Sequence, residues 1–282
     1  MASTSTFFNE LVSELSTIYE REEAINIMRM VFREKLGLSR VDIALDESEI
    51  DAKSHKLIIK IAEKLMEGQP VQQLLGYTTF YGLELRVNKN VLIPRPETEE
   101  LVDCIIKENI KENLHILDVG TGSGCIAIVL SKKMNNPIIK AIDISQPALE
   151  LAQINALSNH ADIDFSNLDI LKEDNWKKLD CFDIIVSNPP YVLESEKAGM
   201  HINVLNHEPH LALFVPDSNP LLYYEKISEM ALKHLYKNGK LYFEINTAYG
   251  KPVKKILIQK GFKDVVIVKD MNERDRMVKA VL

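Results

Sequence analysis

Basic charge, cysteine and long apolar runs are all scarce in this chain of 282 residues. Its 34 lysines and arginines are outnumbered by 41 aspartates and glutamates, for a formal charge of −7. Broad, phosphate-driven nucleic-acid binding needs a basic footprint, so this balance argues against it while leaving room for a local basic patch. The three cysteines, Cys104, Cys125 and Cys181, form no CxxC pair and no Cys/His cluster. Neither a disulfide scaffold nor a metal site is expected from them, and an odd, sparse set fits a reducing, cytoplasmic setting. No run approaches the ~18 apolar residues of a membrane span. The opening MASTSTFFNELVSEL lacks the basic and apolar regions of a secretory signal. At roughly 150 residues per domain the length suggests two domains, large enough to bury a core without covalent staples.

What is present divides unevenly. Phe8, Leu11, Leu15, Ile18 and Tyr19 fall at helical spacing, as do Ile25, Met28, Phe32 and Leu36, with Gly37 as a stop. A third helix carries Ile58, Ile61 and Leu65 and ends at Gly68, with Pro70 beyond it. Residues 1–70 therefore read as a small helical bundle. Residues 71–95 read as a connecting hairpin, with alternation over Phe80–Val87, followed by the two prolines of Pro94-Arg95-Pro96. From Leu114 on, strands (114–119, 138–142, 163–165, 182–187, 240–245) alternate with helices (123–133, 147–156, 221–235, 252–259). Alternation of this kind predicts an α/β domain over residues 96–282 with a mostly parallel sheet. The last two strands, near 265–268 and 277–282, are joined too briefly for a crossover and should pair antiparallel.

Two segments carry chemistry. Gly120-Thr121-Gly122-Ser123-Gly124 follows a strand and opens a helix, so the backbone can turn tightly and approach a ligand closely. A turn that merely packs strand on helix would use the same glycines. Asp143, at the end of the next strand, is placed either to accept from ribose hydroxyls or to stand as a solvated strand-end acid. The spacing is not GxGxxG and no Walker lysine follows. A nucleoside without an essential pyrophosphate, such as S-adenosylmethionine, suits the loop better than a dinucleotide or ATP.

The second segment is Asn188-Pro189-Pro190-Tyr191, where an apolar strand runs straight into two prolines. Proline cannot extend a central ladder, so the chain leaves the sheet at the carboxyl end of a parallel strand, where open α/β sheets bind ligands. The Asn188 side chain and the Pro189 carbonyl are acceptors, Pro190 stiffens the turn, and Tyr191 supplies an aromatic face. Together they could hold a planar NH2 group for methyl transfer to nitrogen. Trp176, the one tryptophan, is equally compatible with core packing and ligand stacking. His201, His207 and His210 read as a solvated loop before a metal site.

On these residues the chain resembles, over essentially its whole length, the bacterial peptide chain release factor N5-glutamine methyltransferases, the HemK/PrmC family. The matching segments are Gly76–Val87, Ile93-Pro94-Arg95-Pro96-Glu97-Thr98-Glu99, Asp118–Gly124, Asp143, Asn188–Tyr191, and Glu208-Pro209 with Ala212-Leu213. The resemblance implies a Rossmann-like, class I S-adenosylmethionine-dependent methyltransferase sheet behind an N-terminal helical domain that contacts the release factor. It implies methylation of the glutamine of the Gly-Gly-Gln motif in class-1 release factors. Gly120, Thr121, Gly122, Ser123 and Gly124 would then hold the methionine part, Asp143 the ribose, and Trp176, with Asp169 as a second candidate, the adenine side. Asn188 and the Pro189 carbonyl would hold the glutamine amide, with Pro190 and Tyr191 beside it. The PRPETE segment is expected near the active site, though a plain linker would also contain it. Departures from the family pattern fall at Phe214-Val215-Pro216-Asp217, at Glu244-Ile245-Asn246 with Tyr249, and at Glu273. Rival readings are glutamine methylation of a ribosomal protein, adenine-N6 methylation of nucleic acid, and a non-catalytic cofactor-binding adaptor.

Overall fold

The computed structural model describes residues 3–46 and 49–282. They divide into two units, one running up to Gly76 together with His201–His207, the other comprising Tyr77–Met200 and Glu208–Leu282.

The first unit contains α1 (Thr4–Leu15), α2 (Arg21–Leu36), α3 (Arg40–Leu45), α4 (Ala52–Met66) and α5 (Val71–Leu75). Side chains cap the starts of three of them: Ser3 accepts from the Thr6 N–H, Ser39 and Asp42 form a capping box, and Asp51 accepts from Lys53 and Ser54. Gly37 ends α2 in the left-handed region. The apolar stripes meet in one core, where Phe8 and Phe32 pack edge to face at 5.2 Å beside Leu15, Met28, Ile58 and Leu65. Periodicity predicts three helices here; α3 and α5 are additional, and at six and five residues each is too short to show a repeat. The segment 201–207, read as a solvated loop, instead joins this core's edge. Asn203 Nδ2 donates to the Tyr19 hydroxyl, and Gln73 Nε2 donates to the His207 carbonyl at 2.8 Å.

The second unit opens with the hairpin β1 (Tyr77–Phe80) and β2 (Leu83–Arg86), then α6 (Pro96–Glu108). The alternating α/β run follows: β3 (His115–Val119), α7 (Cys125–Lys133), β4 (Ile138–Asp143), α8 (Gln146–Ser158), β5 (Asp164–Asn167), α9 (Glu173–Trp176) and β6 (Phe182–Ser187). A short parallel pair, β7 (Val192–Leu193) and β8 (Phe214–Val215), flanks α10 (Ile202–His207), the helical turn of the first unit. The chain closes with α11 (Leu222–His234), β9 (Leu235–Glu244), α12 (Gly250–Gln259), β10 (Lys263–Lys269) and β11 (Asp275–Val281).

The sheet order is β10-β11-β9-β6-β3-β4-β5. Strands β9 through β5 are parallel, whereas β11 runs antiparallel to both β9 and β10, as the short terminal connection requires. Glu273 makes that connection at φ +60. The central strands are buried on both faces, which explains their unbroken apolar runs. Tyr224, Met230, Phe243 and Leu257 fill one side; Leu101, Ile105, Ala127 and Ile184 fill the other.

Register sets what stands at the carboxyl edge. Val119 pairs with Ile142 and with Ser187, and Ser187 pairs with Phe243. Gly120, Asp143, Asn188 and Glu244 are therefore each the next residue along, on four adjacent strands. Two acids at this edge are buried, Asp118 and Glu244. Burial pushes each carboxyl up to about 7, against the hydrogen bonds they receive from Thr121 and Thr98.

A third buried polar group joins elements that are remote in sequence. Asn155 of α8 is fully buried; its Oδ1 accepts from the Arg86 N–H at 2.7 Å, and its Nδ2 donates to the carbonyls of Arg86 and Ser123 at 3.0 and 2.9 Å. One carboxamide thus fastens both β2 and the glycine loop to α8. Replacing it with Leu strands the buried Ser123 carbonyl and the half-buried N–H and carbonyl of Arg86, so Asn155→Leu should lower stability by about 1–3 kcal/mol, read as a shifted urea midpoint. The two raised acids bind protons more tightly folded than unfolded. Their contribution to stability is full in acid and is lost as the pH climbs from the ordinary carboxylate range through about 7. Thermal melts between pH 5 and 8 should show that fall, and Glu244→Gln should make it shallower; an unchanged slope would contradict the assignment to Glu244.

Candidate active site

A cavity of ≈ 230 Å³ opens over the carboxyl edge of the sheet. Its floor is Val119, Gly120, Gly122, Ile142, Asp143 and Ser187-Asn188-Pro189-Pro190. One wall is apolar apart from Asp169, comprising Leu168, Ile170 and Leu171 with Tyr223 and Ile227 from α11; Asn90-Val91-Leu92 and Pro209, Leu211 and Ala212 border the rest.

The glycine loop folds back over β4. The N–H groups of Gly120 and Thr121 both donate to the Ile142 carbonyl, at 2.9 and 3.0 Å, and Thr121 Oγ1 donates to the buried Asp118 at 2.6 Å. Its glycines have separate uses. A Cβ on Gly124, at φ +83, would lie 3.1 Å from Ile128 Cδ1 and 3.2 Å from Ala152 Cβ, so that position serves the packing of α7 on α8. Gly122, at φ +55, has nothing within 4 Å of that direction and lines the cavity, so its bareness serves the space above it. Thr121, Ser123 and Gly124 sit beneath the lining rather than in it.

Asp143 bridges loop and helix: Oδ2 accepts from the Gly122 N–H at 2.9 Å and Oδ1 from the Ser145 N–H at 2.8 Å. Burial raises its pKa, those backbone N–H groups lower it, and the balance is upward. Each oxygen has a further lone pair that can face the cavity. A bare glycine floor, a carboxylate acceptor and an apolar wall are what a nucleoside carrying an amino-acid tail needs, so these residues fit S-adenosylmethionine. Asp169 also lines the cavity, its Oδ1 accepting from the Leu171 N–H.

Trp176 does not line the cavity, and the expectation that it lies against an adenine is corrected. It is 2% exposed, and its indole N–H, which needs an acceptor once buried, donates to the Ile170 carbonyl at 2.8 Å. It braces the wall from behind, and Ile170 presents the surface. Among the described residues no group of three or more His, Cys, Asp or Glu is placed to hold a metal ion.

Asn188 and Pro189 lie on the same floor as Gly120 and Asp143. Behind Asn188 is a chain that sequence reading missed. Asn188 Nδ2 donates to Thr98 Oγ1 at 3.2 Å, and Thr98 donates to Glu244 Oε2 at 2.7 Å. Tyr191 is turned the same way, its hydroxyl donating to Glu244 Oε1 at 3.3 Å, and the Tyr224 hydroxyl donates to the Glu244 carbonyl. Thr98 belongs to the PRPETE segment, which therefore reaches Asn188 and is not a plain linker. Arg95 from the same segment pairs with buried Glu208 at 2.5 Å. Glu244 was detectable as a lone acid within the apolar run Leu241–Ile245; Thr98 carried no local signal beyond opening a helix.

Residues 97–208 match the family model of the methyltransferase small domain. A methyltransferase of Pyrococcus furiosus covers 79% of this chain, and 98% of its own, at a TM-score of 0.53 and 18% identity. The human Mettl16 catalytic domain covers 71% of this chain and 75% of its own at 0.54 and 17%. These likenesses show the fold, that of the class I S-adenosylmethionine-dependent methyltransferases. The release factor glutamine methyltransferase of Flavobacterium psychrophilum is 46% identical over 275 residues, spanning 96% of both chains. That of Bacteroides thetaiotaomicron is 42% identical over 267 residues, 94% of this chain and 95% of its own. Matched along nearly all of both chains at such identity, this protein belongs to the release factor glutamine methyltransferase family.

Proposed function

We propose that this chain transfers a methyl group from S-adenosylmethionine to the side-chain amide nitrogen of the Gly-Gly-Gln glutamine in class-1 peptide chain release factors. The observation that carries this reading is the sharing of one cavity floor by Gly120, Gly122 and Asp143, suited to a nucleoside, and by Asn188 and Pro189, suited to a planar amide. The names of the relatives point to the same substrate.

When bound, S-adenosylmethionine supplies an electrophilic methyl on its sulfonium. Gly120, Gly122 and Asp143 would hold it by the tail and the ribose, with Thr121, Ser123 and Gly124 shaping the loop from beneath, and Asp169 and Ile170 would border the base. An amide nitrogen is a poor nucleophile because its lone pair is delocalised into the carbonyl. The Asn188 Oδ1 and the Pro189 carbonyl accept its two N–H bonds and turn the nitrogen toward the methyl, a gain of position and electrostatics. Pro190 fixes the turn, and Tyr191, whose hydroxyl donates to Glu244, anchors it from behind. The N–C bond forms as the S–C bond breaks, and the proton leaves the nitrogen afterwards, so no dedicated base is required.

The helical unit up to Gly76 is assigned to contacting the release factor, and the second unit to the chemistry. A release-factor substrate places the enzyme in the cytoplasm. The net charge of −7 favours a protein over a nucleic acid as its direct partner. Among the described residues no helix is long and apolar enough to cross a membrane.

The test is transfer of labelled methyl to a release factor, to its Gln→Ala variant in the Gly-Gly-Gln motif, to a ribosomal protein and to duplex DNA. Label should appear on the intact release factor alone; label on DNA, or equal label on both release factors, would overturn the reading. Asn188→Ala should cut turnover by ~100-fold or more while cofactor Kd moves only a few-fold. Asp143→Ala should raise cofactor Kd by about tenfold or more, the worth of a charge-assisted hydrogen bond.

A further inference from the structure

We propose that Thr98 and Glu244 are positioning residues that fix which end of the Asn188 carboxamide meets the substrate. The inference rests on the proposed amide methylation and names how its acceptor is kept an acceptor. A carboxamide is nearly symmetric in shape, yet its two ends are opposite in hydrogen bonding. Turned one way, Asn188 offers Oδ1 to the substrate N–H; turned the other, it sets one NH2 against another and holds nothing.

The buried chain decides between them. A threonine hydroxyl has one proton, and Thr98 gives it to Glu244 Oε2 at 2.7 Å. The remaining contact of Thr98, 3.2 Å from Asn188, must then be one in which Thr98 accepts and Asn188 Nδ2 donates. Flipping Asn188 would put its oxygen against an oxygen whose proton is already committed, losing one hydrogen bond and opposing two acceptors in a site shielded from water. The carboxylate is itself fixed by Tyr191 at Oε1, and its backbone by Tyr224. Thr98 and Glu244 are 2% and 1% exposed, so water cannot replace either partner.

Direction along this chain depends on Glu244 being ionised. Its surroundings are Glu97 and Thr98 on α6, the neutral Cys125 thiol on α7, Tyr191 after β6, Tyr224 on α11, and Arg276 on β11. Burial, with Glu97, pushes the carboxyl up to about 7, against Thr98, Arg276 and Tyr191. A protonated Glu244 can donate to Thr98, which is then free to donate to Asn188, and the preference is lost. Turnover should therefore fall as the pH drops through about 7, with an acid limb that belongs to the relay.

The experiment compares Thr98→Val, which keeps the shape and removes the hydroxyl, with Thr98→Ser, which restores it, using the full chain, labelled S-adenosylmethionine and the release factor. Cofactor Kd by titration and thermal midpoint are measured alongside. Thr98→Val should lower kcat by roughly 10- to 100-fold, the factor for one stranded buried polar partner. Cofactor Kd should stay within about threefold, the acid limb should disappear, and Thr98→Ser should recover most of the turnover. Glu244→Gln, which can turn an NH2 toward Thr98, should lose turnover alone yet add little to Thr98→Val, because the two act as one unit. Wild-type turnover in Thr98→Val, a Thr98→Ser as slow as Thr98→Val, or additive losses in the double variant would each overturn the proposal. Absence of transfer by the unaltered chain would overturn the functional reading, and this one with it.

Discussion

The parallel pairing of β3 with β4 on one side and β6 on the other, in a register that ends all three strands together, is the constraint on which the site depends. Backbone hydrogen bonds along buried strands cannot slip by one residue without turning every apolar side chain to the wrong face. Gly120, Asp143 and Asn188 are therefore held at one level by the packing of core residues such as Leu117, Ile142 and Ile185. Extending the ladder to β9 adds Glu244 to the same row. Four residues of different chemistry, far apart in the chain, become neighbours because their strands agree about where to stop.

Buried polar groups then turn a row into a site. Asn155 ties the hairpin and the glycine loop to α8, Asp118 holds Thr121, and Glu244 holds Thr98 and Tyr191. Each such group costs desolvation, visible in the upward shifts at Asp118 and Glu244. An apolar core could have supplied stability at that edge; it could not have told one end of a carboxamide from the other.

Much of this was legible in the residues. The strand ending at Ser187, the glycine loop, the acid after β4 and the proline exit all declare themselves locally, because periodicity and punctuation are local properties. The antiparallel pair at the end followed from a connection too short for a crossover. Trp176 was legible only as an ambiguity, resolved when its N–H found the Ile170 carbonyl. Thr98, Glu244 and Asn155 were not legible as a network, because their partners lie 146, 90 and 69 positions away and no single-chain pattern records such distances. The short α3 and α5 lacked a full repeat, and a seven-residue segment that deserts one unit for another leaves no mark on composition.

That segment has a consequence in time. The helical unit is finished by Asn203, which bonds Tyr19 from 184 positions away, and by His207, which bonds Gln73 across 134. During synthesis the first helices emerge early and can find one another, since their contacts are local. They stay incomplete until the ribosome has made the glycine loop and the proline exit and passed residue 207. The last touches to the N-terminal unit therefore arrive only after four of the seven strands of the catalytic sheet have been made, which couples the maturation of two bodies that would otherwise fold in sequence.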